Sequence, residues 1–159
     1  KKNMSEYRPD EGSFNVEGAR IAIVVARWNS QITDSLLAGA QRALLRHGIG
    51  ERAIDLFWVP GAFELPLTCS RAAKTRRYDA VVALGCVIRG GTPHFDYVCS
   101  ETTRGIGEVA LQEGLPVAFG VLTTDDLAQA QQRAGDNQEN KGEEAALTAL
   151  EMISLFRQL

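Results

Sequence analysis

Basic runs are missing from this 159-residue chain: none extends beyond Arg76 and Arg77, and the formal net charge is −3 with a pI of about 5.4. A nucleic-acid binder carries a basic footprint, so this balance argues against one. Long apolar runs are missing as well, the longest falling far short of the roughly 18 residues that a membrane span needs. The opening KKNMSEYRPD has no apolar core of a signal peptide, which makes a cytoplasmic location the expectation. Cysteine is sparse and odd in number, with Cys69, Cys86 and Cys99 in apolar settings and no CxxC spacing. That pattern argues against a disulfide framework or a zinc site and favours buried thiols acting as small hydrophobes. Histidine occurs twice, at His47 and His94. Small molecules and copies of the chain itself are the partners left, with no nucleic acid and no membrane.

What is present is the balance of one globular domain over residues 1–159, 45% hydrophobic and 23% charged, with residues 1–11 expected to be flexible. An isolated alternation at Phe14 and Val16 suggests one short strand without a local partner. Arg20–Arg27 (RIAIVVAR) is a near-continuous apolar run, as in a parallel strand buried on both faces. Asn29 and Ser30 offer N-caps for a helix that His47 and Gly48 end. A strand over 53–59, a turn at 60–62 and a helix over 63–74 repeat the unit, with Pro66 in the first helical turn, where proline is tolerated. A third strand over 78–87 leads to a helix ending at Gly114. A fourth strand over 115–122, a short helix capped within Thr124–Asp126 and a final helix over 143–159 complete the order. Strands alternating with helices predict a three-layer α/β/α sandwich on a four-stranded parallel sheet.

In such sheets ligands bind beyond the carboxyl ends of the strands, where Trp28 and Asn29, Pro60–Glu64, Gly85–His94 and Thr123–Asp126 all collect. The segment Gly85–Asp96 (GCVIRGGTPHFD) is the richest in chemistry. Its glycines allow backbone to approach a ligand, Thr92 and Pro93 read as N-cap and first helical residue, and a helix N-terminus favours an anion. It stops one residue short of the P-loop pattern GxxxxGK[ST], because Gly91 stands where the lysine should be, which argues against nucleoside triphosphate hydrolysis. A smaller phosphate held by backbone N–H groups and Thr92 remains. His94 then stands beside that anion, able to exchange protons near neutral pH. Trp28, with Asn29, Phe63 and Glu64, reads either as closure of the core or as a stacking wall for a planar heterocycle. Glu64 alone also fits an ordinary first-turn carboxylate, and His47 fits a helix end.

Arg133 lies at the far end of the helix that leaves the carboxyl edge, away from its own chain's site. One reading gives it to the helix C-terminus and pairs Lys141 with Glu143 or Glu144. The other sends both residues into a neighbouring subunit's site.

Taken together, VVARWN (24–29), VPGAFELP (59–66), ALGCVIRGGTPHFDYV (83–98), FGVLTTDD (119–126), and RAG and NKG at 133–135 and 140–142 resemble lumazine synthases, from Gly12 to the C-terminus. The resemblance implies a flavodoxin-like fold whose N-terminal strand pairs with a neighbouring subunit. It also implies a transferase of riboflavin biosynthesis that condenses 5-amino-6-(D-ribitylamino)uracil with 3,4-dihydroxy-2-butanone 4-phosphate, without metal or organic cofactor. It assigns stacking to Trp28, ring and ribityl binding to Asn29, Ala62, Phe63, Glu64, Cys86, Val87 and Ile88, phosphate to Gly91 and Thr92, and acid/base work to His94. Phe119 and Arg133 would come from the adjacent subunit, with Lys141 near the phosphate. Trp28 departs from the phenylalanine often found there, which bears on stacking more than on the reaction. The family forms homopentamers, in some members a 60-subunit icosahedral shell, and riboflavin synthase is a further partner implied. A non-catalytic phosphate-binding or shell-forming protein of the same fold is the alternative.

Overall fold

The computed structural model describes Pro9 and residues 11–159. Along the chain run β1 (Ile21–Ala26), α1 (Ser30–Arg46), β2 (Ile54–Val59), α2 (Leu65–Lys74), β3 (Ala80–Ile88), α3 (His94–Glu113), β4 (Val117–Thr124), α4 (Leu127–Ala134) and α5 (Lys141–Phe156). The strands form one parallel sheet in the order β2-β1-β3-β4.

The central position of β1 explains its unbroken apolar sequence. Ile21, Ile23 and Val25 face a core shared with α1, α4 and α5, while Ala22, Val24 and Ala26 face the core under α2 and α3. Each fully buried aliphatic side chain contributes about 1.5–3 kcal/mol, so both faces of this strand must be covered. The result is the three-layer, flavodoxin-like α/β/α sandwich that the alternation of elements predicts. Among the described residues no helix is long and apolar enough to cross a membrane.

Local departures from the expected capping have physical causes. Helix α3 begins at His94 with Pro93, not Thr92, at the N-cap; Pro93 sits at φ −70° and its carbonyl accepts from Asp96 N at 3.0 Å. Proline's fixed φ suits that entry, which leaves the Thr92 side chain outside the helix. Asn29 does occupy the N-cap of α1, in the left-handed region at φ 65°, yet its side chain makes no capping bond. Asparagine tolerates that conformation better than most residues, and its amide is used across the sheet instead. Asp126 caps α4 through Gln129 N, the 3₁₀ turn Ala62–Glu64 precedes α2, and α5 runs Lys141–Phe156 instead of 143–159.

The expected strand at Phe14 and Val16 is not formed within the chain. Val16 is buried in the α1/α5 core, Asn15 N donates to Ser154 Oγ at 2.9 Å, and the Phe14 ring lies 4.9 Å from that of His47. Among the described residues no strand of the same chain pairs with this segment, as the reading of a strand without a local partner has it. The flexible start expected over residues 1–11 lies largely outside the described residues; Glu11, within them, bonds to Arg46 Nε at 2.7 Å and faces His47 Nε2 at 3.0 Å.

Candidate active site

A cavity of about 880 Å³ opens beyond the carboxyl ends of β1, β2 and β3. The connections leave the sheet in opposite directions on either side of the β1/β3 pair, and the space between them is the usual ligand crevice of such folds. Trp28 and Asn29 after β1, Gly61–Glu64 after β2, and Cys86, Val87, Ile88 and Gly90 at the end of β3 line it. Thr92, His94 and Phe95 close one end, and the first two turns of α3 add Tyr97, Val98, Ser100 and Glu101.

Each loop is fixed by a few specific bonds. Trp28 N donates to Pro60 O at 2.9 Å and Asn29 Nδ2 to Cys86 O at 2.9 Å, so the β1 loop is tied to both neighbouring strands. The Glu64 carboxylate accepts from Gly61 N at 3.0 Å and so holds the turn that presents Phe63. Part of its hydrogen-bonding capacity thus goes to its own loop, as the first-turn reading has it. Trp28 is 73% and Phe63 58% exposed, which leaves two large apolar faces open to the cavity mouth. Aromatic faces exposed around a concave site mark a place where a planar apolar group is taken out of water.

The β3–α3 turn supplies the polar end. Helix α3 starts at His94, and apart from Asp96 N, which donates to Pro93 O, its opening amides are those that a helix leaves without an intrahelical acceptor. Arg89 anchors the turn: its N–H donates to Thr124 O, its Nε donates to Asp125 Oδ1 at 2.9 Å, its Nη1 lies 3.5 Å from Asp96 Oδ1, and its guanidinium stands 4.4 Å from the Phe95 ring centroid. Burial pushes the Cys86 thiol up to about 11 and that of Cys69 to about 12. Both are buried free thiols as expected, whereas Cys99 is only half-buried. Among the described residues no three His, Cys, Asp or Glu side chains gather where they could hold a metal ion.

The cavity brings together Trp28, Asn29, Ala62, Phe63, Glu64, Cys86, Val87, Ile88, Thr92 and His94. Gly91 lies exposed in the adjoining turn, and Phe119, Arg133 and Lys141 stand elsewhere. Phe119 is exposed on the edge strand β4; Arg133, in the last turn of α4, donates from Nη1 to Gln129 O at 3.2 Å; Lys141 Nζ donates to Glu144 Oε2 at 3.0 Å. Tyr97, Ser100 and Glu101 were not anticipated. Their spacing from His94 by three, six and seven residues along one helix was the available signal.

Residues 18–157 match the family model described as 6,7-dimethyl-8-ribityllumazine synthase, which covers most of the 159-residue chain. The chain belongs to the lumazine synthase family. The matched segment contains the five α-helices and four strands of the described residues and every residue of the cavity wall. At the level of the family, its substrates are small molecules and its members assemble as homo-oligomers.

Proposed function

We propose that the protein condenses 5-amino-6-(D-ribitylamino)uracil with 3,4-dihydroxy-2-butanone 4-phosphate to give 6,7-dimethyl-8-ribityllumazine, phosphate and water. The observation that carries this reading is the pairing, in one cavity of a lumazine synthase family member, of an aromatic wall with a helix N-terminus headed by His94. Trp28 and Phe63 stack the pyrimidine, Asn29, Ala62 and Glu64 with Cys86–Ile88 hold its edge and ribityl chain, and Gly91 with Thr92 binds the phosphate. The substrate amine attacks the ketone to give a carbinolamine that loses water to an imine. Phosphate is then eliminated, and ring closure expels a second water. Every step moves a proton, and His94 is the group placed to carry it.

Holding two substrates in register contributes as much as roughly 7–11 kcal/mol, against about 10²–10⁴-fold for a positioned acid/base. Positioning therefore dominates. The cavity is open on one side, and Phe119, Arg133 and Lys141 are assigned to the missing wall as contributions from an adjacent subunit. Exposed apolar side chains on opposite edges of the sheet, Leu56, Phe57 and Trp58 on β2 and Phe119 on β4, support a head-to-tail contact that closes into a ring. The ring is read as a homopentamer, and whether it stays alone or packs with eleven others into a 60-subunit shell is what the light-scattering test below decides.

Mixing the purified protein with both substrates and following lumazine absorbance tests the reaction; no product at micromolar enzyme leaves only the non-catalytic readings. Light scattering tests the assembly, a species near one megadalton supporting the shell and a stable pentamer refuting it.

A further inference from the structure

Asn140 is a polar side chain with no exposed surface, one of the largest fully buried groups in the molecule. An amide in that setting is costly unless its donors and acceptor are bonded. Its Nδ2 donates to Ala134 O at 2.9 Å, Gly135 O at 3.0 Å and Ser35 O at 3.3 Å, and its Oδ1 accepts from Glu143 N at 2.9 Å. Two of those carbonyls belong to the C-terminal end of α4, the N–H belongs to the first turn of α5, and Ser35 belongs to α1. One side chain thus closes two helix ends and ties both to a third helix.

The surrounding backbone is shaped to admit it. A Cβ on Gly39 would lie only 2.2 Å from Asn140 Oδ1, and one on Gly142 only 1.9 Å from Leu36 O, so α1 and α5 approach at closest range on either side of this amide. Residues 136–139, which join α4 to α5, are themselves exposed. Exposed bonds from Asn137 Nδ2 to Gln132 O and from Gln132 Nε2 to Glu139 Oε2 also span the turn, and the buried amide below it adds the link from both helix ends to α1. Arg133 stands one residue before Ala134, and Lys141 follows Asn140 directly.

We propose that Asn140 is a positioning residue: it sets the relative placement of Arg133 and Lys141, the cationic pair that one subunit presents to the phosphate end of its neighbour's cavity. The proposal rests on the functional reading above, and its failure is separable from the failure of that reading.

The variant N140S keeps an N-cap acceptor for α5 and removes the amide donors, while N140D keeps shape and cap but turns an oxygen toward three carbonyls. Steady-state kinetics of the assembled enzyme is the readout, with R133A and N140S/R133A alongside. A misplacement of about 1 Å costs up to about 10²-fold, so N140S is expected to raise the KM for the butanone phosphate about 10- to 100-fold. The KM for the pyrimidine amine is expected to stay unchanged, and N140S is expected to raise the KM of R133A by a smaller factor than it raises that of the parent, because only Lys141 is then left to misplace. Equal rises in both KM values, effects of N140S and R133A that multiply, or unchanged KM values with only a lowered Tm overturn the proposal. If R133A alone leaves the KM unchanged, the assignment of Arg133 falls and this proposal falls with it; if R133A raises it and N140S does not, only this proposal falls. Amide exchange on the unaltered protein needs no variant to fold: Glu143 N–H is expected to be protected as strongly as the β3 amides, and exchange as fast as at Gln138 would overturn the clamp.

Discussion

Two parts of the molecule carry the residues assigned to chemistry, and they are built in opposite ways. At the strand ends, Cβ atoms placed on Gly90 and Gly91 would meet nothing within 4 Å, Trp28 and Phe63 are exposed, and few side-chain bonds hold the loops. At the α4–α5 junction there is no room: a Cβ on Gly39 or Gly142 would overlap Asn140 or Leu36, and a buried amide makes four bonds. The difference fits the roles proposed for each part. A surface that admits a ligand keeps space beside its backbone, while a scaffold that presents Arg133 and Lys141 at a distance needs its helix ends locked.

The largest expected effect follows from that contrast in glycines. Gly142→Ala drives a methyl group into the Leu36 carbonyl, so overpacking costs about 3 kcal/mol and Tm falls by about 6–12 °C. Gly91→Ala has open space and ordinary φ, and its stability should stay within about 0.5 kcal/mol of the parent. Thermal unfolding of the two variants side by side checks both; equal losses would erase the distinction between the two regions.

Kinetics comes next in size. His94→Ala is expected to lower kcat by about 10²–10⁴-fold yet leave readily measured turnover, because substrate register is retained without the imidazole. Complete loss of turnover in a correctly assembled protein would contradict that division. Arg133→Ala removes a charge-assisted bond worth about 1.5–3 kcal/mol, so the KM for the phosphorylated substrate is expected to rise about 10- to 100-fold with kcat little altered. An unchanged KM would defeat the placement of Arg133 at a phosphate.

The strand-end region was the more legible of the two. The apolar runs at β1 and β3 could only be strands covered on both faces, and glycine, proline and aromatic residues after them marked the crevice. In α3 an apolar periodicity marks the side that faces the core, with Phe95, Thr102, Ile106 and Val109 buried, and says nothing of Tyr97, Ser100 and Glu101, which line the cavity. Asn140 was illegible for a different reason. In sequence it is a polar residue in a polar connection, and its burial follows from the close packing of α1 on α5, a distant contact that Gly39 and Gly142 permit but do not announce.

Thiol chemistry gives a smaller effect that sharpens the same contrast within the cavity wall. With its pKa pushed up to about 11 by burial, Cys86 is thiolate to only about 10⁻³ at pH 8, and Cys69, at about 12, to less. Cys99 is half-buried and the more accessible thiol. Under a neutral alkylating reagent at pH 8, mass spectrometry should find Cys99 modified first, while Cys86 and Cys69 remain unreacted in the native protein. Faster labelling of Cys86 would mean that the end of β3 opens far more than its buried position implies.

The smallest effect concerns the chain's entry to the fold, where Arg46 is shared between Glu11 and Glu143 of α5. The hydrogen bond to His47, with further help from Arg46, holds the Glu11 carboxyl below the usual carboxylate range. A carboxyl lowered in the folded state contributes stability that is fully present above its ordinary pKa near 4.5 and is lost as pH falls through the lower folded value. Acidification below pH 4.5 should therefore loosen the segment from Glu11 to Val16, read as faster amide exchange at Asn15, whose N–H is bonded to Ser154 Oγ. Glu11→Gln removes the charge, so its exchange rate at Asn15 should already be raised at pH 7 and change little on acidification. The pair is exposed and the change correspondingly modest, below about 1 kcal/mol. If Asn15 exchanges at the same rate in both proteins across that range, the ion pair does not hold the segment and the buried Val16 side chain alone does.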